Sequence, residues 1–91
     1  MNCLKGAALT DERRGIGSVE VGGQLLRALT VFDGPMMLKD LAQAAGMPPA
    51  KAHPYLVSFA RIGLVEQDRV SGRYELGPLA LQMAKVTWMA Q

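Results

Sequence analysis

The sequence predicts a mainly α-helical fold with one small β-hairpin. Three observations predict it. Apolar residues recur at helical spacing in successive stretches before Gly63. The second and third of these stretches are separated by little more than a turn at Gly46-Met47-Pro48. Two alternating segments, residues 64–67 and 73–76, then flank a polar loop. The order is helix, short strand, helix, turn, helix, hairpin, helix. That is the order of a winged helix-turn-helix: a three-helix core, a wing and a C-terminal linker helix.

The bulk numbers set the frame. A chain of 91 residues supplies one small domain with a single modest core. At 49% hydrophobic residues it is built to fold. No apolar run approaches the ~20 residues that a membrane span needs. The opening residues carry Asp11 and Glu12 and lack a long apolar stretch, unlike a secretory signal. Cys3 is the single cysteine, which fits a reducing compartment. The net charge of +2 and pI of about 9.0 are only mildly basic, so the placement of charge must carry any functional argument.

Residues 1–17 are polar and contain Arg13-Arg14, and they are expected to form a flexible arm. Ser18 is expected to cap the first helix, with Glu20 in the turn where the helix dipole favours an anion. Val19, Leu25, Leu26, Leu29 and Phe32 mark its apolar spacing, and Asp33-Gly34-Pro35 ends it. Gly22 and Gly23 cost this helix roughly 1 kcal/mol each relative to Ala. Either they admit a second backbone or they simply weaken the helix.

Residues 36–38 are expected to form a short strand, and residues 39–45 the second helix, closed by Gly46. The third helix spans residues 49–62, with Pro49 in its first turn and Gly63 after its end. Its buried stripe is Ala52, Tyr55, Leu56 and Phe59. Pro49, Ala50, Lys51, His53, Pro54, Val57, Ser58 and Arg61 are expected outward. Gly77-Pro78 opens the last helix, with Leu79, Leu81, Met83, Ala84 and Trp88 as its apolar positions.

The residues point away from an enzyme. Asp33, Asp40, Glu66, Asp68 and Glu75 are scattered without an acid–base spacing. One His and one Cys make no zinc site, and no glycine-rich phosphate loop follows a strand. No cofactor is expected. DNA recognition asks for other parts, and these are present. A helix fits the major groove, its outward residues reach base edges, and cations hold phosphates. On the third helix Lys51 suits a phosphate or a guanine edge, and His53 a phosphate or a base. Arg69 and Arg73 flank Ser71-Gly72, so the hairpin loop places cations against phosphates or the minor groove. Singly these are ordinary surface residues; their order is what is specific.

Ser18-Val19-Glu20, Gly34-Pro35, Leu38 with "DLAQAAGMP" at 40–48, Ala52-His53, "IGLVE" at 62–66 and "GRYELGP" at 72–78 together resemble the N-terminal domain of IclR-type (isocitrate lyase regulator-like) bacterial transcription regulators. The resemblance covers roughly three quarters of the chain, residues 18–85. It implies a cytoplasmic, nucleoid-associated protein that binds double-stranded operator DNA. It implies a homodimer through the first and last helices on a palindrome, with residues 18–77 as the DNA-binding domain. Residues 78–91 would be a linker to an effector-binding domain absent from this chain, through which alone a small molecule would act.

By position the DNA contacts implied are Lys39 on the second helix, then Pro49, Ala50, Lys51, His53, Pro54, Ser58 and Arg61 on the third. The wing adds Arg69, Ser71, Gly72 and Arg73. Three departures stand out. Met37 replaces a small hydroxyl residue that usually caps the second helix, Gly22-Gly23 replace larger residues, and Pro54 stands where similar members carry arginine. A helix-breaking Pro54 is expected to kink the third helix or to delay its regular start to near His53. The rival reading is a winged-helix protein-interaction module that binds DNA weakly or not at all. The modest charge, Pro54 and the small face at Pro49-Ala50 speak for it.

Overall fold

The computed structural model describes residues 14–32 and 34–89, with side chains to residue 87. Most of the expected arm, residues 1–13, lies outside the described residues, as do Asp33 and the side chain of Trp88.

Helix α1 spans Gly17–Val31, α2 Leu38–Ala45 and α3 Pro49–Ile62; strands β1 (Val65–Gln67) and β2 (Tyr74–Leu76) follow, then α4 (Pro78–Met89). The strands pair antiparallel, Val65 with Leu76 and Gln67 with Tyr74. This is the expected mainly α fold with a hairpin wing. Leu25 and Leu29 of α1, Leu41 and Ala42 of α2, Ala52 and Leu56 of α3, and Val65 and Tyr74 of the hairpin form one buried cluster with Met36. Leu25 and Leu29 stand four apart, as do Ala52 and Leu56, and on α2 the half-buried Leu38 and Ala45 flank Leu41-Ala42 at a spacing of three, so one face of each of these helices meets the others.

Several expectations need correction. Ser18 does not cap α1. The helix begins at Gly17, and the Ile16 carbonyl accepts from the amides of Val19 (3.0 Å) and Glu20 (3.2 Å). Residues 36–38 are not a strand. Met36 alone bridges Tyr74, exchanging bonds of 2.9 and 2.7 Å. The Met37 carbonyl is already committed to the Leu41 amide at 2.9 Å, and α2 starts at Leu38. Met37 caps α2 without any side-chain bond, as its lack of a hydroxyl dictates.

Gly22 admits no second backbone. It is buried under an aromatic ring, whereas Gly23 is exposed. The expected apolar positions Leu81 and Met83 of α4 are 70% and 56% exposed, and among its described side chains only Leu79 and Ala80 are half-buried.

The end of α3 is tied to the start of α4. The Gly63 carbonyl accepts from the Leu79 amide, and the Leu64 carbonyl from the Gly77 amide, both at 2.9 Å. Gly77 lies so close that a Cβ there would stand 2.5 Å from the Gly63 carbonyl oxygen. The wing and α3 therefore hold a fixed relation to one another.

Candidate nucleic-acid interface

α3 is positioned by the residues it buries. Ala52 and Leu56 are fully enclosed, and Tyr55 and Phe59 are half-buried against the core, so both aromatics serve packing. Gly46 before the helix and Gly63 after it both adopt positive φ, 78° and 86°. That conformation costs glycine little and reverses the chain at each point. Pro48 caps α3 through its carbonyl, which accepts from the amides of Lys51 (3.0 Å) and Ala52 (3.1 Å).

The outward residues are placed as expected, with one exception. Pro49, Ala50, Lys51, His53, Pro54, Ser58 and Arg61 are all exposed. Val57 is half-buried, because it lines a cleft with Arg61 of α3 and with Gln67 and Tyr74 of the hairpin. The helix also runs without interruption from Pro49 through Pro54, so its regular part does not begin late at His53. Pro54 still has no N–H to offer the Ala50 carbonyl, and both residues are exposed.

The wing is built from within. The Asp68 carboxylate accepts from the amides of Val70 (3.0 Å) and Ser71 (2.6 Å). The Asp68 carbonyl accepts from the Gly72 amide at 2.8 Å, and Gly72 has φ 78°. Ser71 Oγ accepts from the Arg73 amide at 3.2 Å, and Gln67 Nε2 donates to the Gly72 carbonyl at 3.1 Å. The amides of Ser71, and to a lesser degree Val70, hold the Asp68 carboxyl below its usual range, because they favour the ionised form. Asp68 and Gln67 were not among the candidate residues. An Asp opening a turn two or three residues before small or flexible positions was the available signal.

Arg69 and Ser71 are thus exposed on a braced loop, with Gly72 half-buried at its base. Arg73 is exposed and borders a cleft with Asp40 and Gln43 of α2. Lys39 is exposed on α2. α3 itself carries Lys51, His53 and Arg61 and no acidic residue. Among the described residues no cluster of His, Cys, Asp or Glu converges as metal ligands, and no described helix is long and apolar enough to cross a membrane.

Comparison with known proteins matches residues 18–69 to the IclR helix-turn-helix domain. A glycerol operon regulatory protein of Streptomyces coelicolor is 37% identical over 70 residues, and the match covers 77% of this chain but 28% of that protein. A protein of the same description from Streptomyces griseus is 39% identical over 64 residues, covering 70% of this chain and 25% of that one. The chain therefore corresponds to little more than a quarter of the length of these relatives. Among solved structures, Pseudomonas aeruginosa HmgR superposes with a TM-score of 0.79 at 33% identity, over 84% of this chain and 31% of that one. An IclR family transcriptional regulator from Brucella abortus shares the fold, with a TM-score of 0.73 at 23% identity over 82% and 28% of the two chains.

Proposed function

The chain belongs to the IclR helix-turn-helix family, and from that premise we propose that it binds double-stranded operator DNA as a transcription regulator. Residues 18–77 form the DNA-binding unit. α3 enters the major groove, and the Arg69–Ser71 tip of the wing lies on the flanking backbone. Residues 78–91 act as a linker. Two copies join through α1 and α4 on a palindromic site. Any small-molecule effector acts through a part of the regulator outside this chain.

The observation that carries this reading is the outward side of α3. It exposes Lys51, His53 and Arg61 without an acidic residue, beside a hairpin tip carrying Arg69. Such a surface attracts phosphates, and a helix fits the groove. The similarity to glycerol operon regulatory proteins supports the same conclusion.

The test is binding of the full chain to fluorescent duplexes between roughly 50 and 200 mM salt. Affinity should fall steeply, with a logarithmic slope of about 0.9 for each phosphate neutralised. Binding that is absent at the lowest salt would remove the DNA reading and favour a protein-interaction role.

A further inference from the structure

Helical geometry sorts the exposed residues of α3 into a centre and two flanks. At about 100° per residue, Ala50, Pro54 and Arg61 fall within about 20° of one line along the helix. The line runs about 180° from Ala52, which is fully enclosed in the core. Lys51 and His53 fall about 80° to either side of it. Over its first two turns, then, the outward centre consists of the Ala50 methyl and the Pro54 ring. Neither side chain can donate or accept a hydrogen bond. The polar groups stand at the edges.

This arrangement limits what the helix can read. In the major groove guanine offers two acceptors and cytosine an amino donor, while thymine alone offers a methyl group. A centre without hydrogen-bonding side chains would strip water from a G·C edge and return nothing, which is unfavourable. Against thymine the same centre buries apolar surface on both sides. The edges suit phosphates, which line the groove on both strands, and α3 has no carboxylate to repel them.

Resting on the DNA-binding reading, we propose that α3 reads thymine C5 methyl groups through Ala50 and Pro54, with Lys51 and His53 spent on the phosphates at either side. Position 54 then determines specificity: an apolar side chain there selects A·T pairs, and over the first two turns no bidentate contact to guanine is made at the centre of the face.

The test changes the DNA, so protein folding does not enter it. Duplexes are enriched from a randomised pool with the full chain, then remade with deoxyuridine in place of single thymidines. Enriched half-sites should share A·T pairs. Removing a contacted methyl should weaken binding about fourfold, as expected for one buried carbon. Selection repeated with Pro54→Ala should keep the A·T preference, and with Pro54→Arg should bring guanine into the half-site. Enriched sites that bind equally well with deoxyuridine overturn the thymine reading while DNA binding stands. So does salt-dependent binding without any enrichment. No binding at low salt overturns both readings together.

Discussion

The ring of Phe59 lies on the bare Cα of Gly22. A Cβ at that position would meet Phe59 Cζ at 2.6 Å and Tyr55 Cδ1 at 3.4 Å. α1 and α3 therefore approach through a glycine on one side and two aromatic rings on the other. Its neighbour Gly23 has nothing within 4 Å of its own Cβ position. Two adjacent glycines with the same intrinsic helix cost thus have opposite structural meanings.

That difference is measurable. Gly23→Ala should stabilise the domain by about 1 kcal/mol, the helix propensity difference alone. Gly22→Ala gains the same propensity but must push the Phe59 ring aside, and overpacking costs about 1–3 kcal/mol. A net loss of roughly 1 kcal/mol is expected in urea denaturation, a shift of several degrees in Tm for a domain of this size. Adding Phe59→Leu should recover part of it. Equal stabilisation by the two alanines would mean that the ring moves aside without resistance.

Pro54 offers a second separation, between helix stability and DNA affinity. Restoring an N–H toward the Ala50 carbonyl with Pro54→Ala should raise stability by up to about 3 kcal/mol, the interior cost of proline. Pro54→Arg should share that gain and also place a cation on the outward face. Its DNA affinity should rise, and the salt dependence should steepen by up to about one phosphate equivalent. Titration of one duplex at several salt concentrations decides it. An unchanged affinity and slope would mean that residue 54 does not face DNA.

How much of this was legible in the sequence depends on the range of the interaction. The bounds of α3 were, because Pro49, Gly46 and Gly63 act through local backbone preference. Its outward set was also legible, since a period of 3.6 residues separates it from Ala52 and Leu56. The half-burial of Val57 was not, because it depends on where the hairpin returns. The ring over Gly22 was hidden for the same reason: its partner lies 37 residues further on in the chain. Residues 36–38 misled through their apolar character. The choice between strand and helix start fell on a single carbonyl, that of Met37. In the wing the cations were visible, but the Arg73–Asp40 neighbourhood needed the tertiary fold.

The wing should respond to acid. The folded pKa of Asp68 lies below its ordinary value of 3.8. Its bonds to Val70 and Ser71 are therefore fully in place above that value and are lost as pH falls through the lowered folded pKa. Protection of the Val70 and Ser71 amides, their exchange relative to the intrinsic rate at each pH, should fall in that window and be greater at neutral pH. Asp68→Asn should leave only a neutral acceptor, so protection at both amides should be lower at pH 7 and should no longer change on acidification. Exchange that is the same in both proteins would show that the loop holds its shape without the carboxylate.

The last prediction concerns α4, whose described side chains are apolar on nearly every side: only Gln82, Lys85 and Thr87 are polar. Helices of that composition are usually enclosed, yet here Leu81 is 70% exposed and Val86 69%. On α1, Val19 and Val31 are likewise 69% and 71% exposed. Between the two helices runs an apolar groove lined by Leu26, Thr30, Leu76 and Met83. A single copy leaves these surfaces in water, and a second copy placed by a two-fold axis would cover them in matching pairs. Leu81→Glu combined with Val86→Glu should halve the mass measured by light scattering without unfolding the domain, since neither side chain belongs to the core cluster. DNA affinity should drop with it, because each half-site would then have to be bound alone. A variant that keeps its mass and affinity would place the dimer contact elsewhere, and wild-type protein that is monomeric at high concentration would leave α4 without this role.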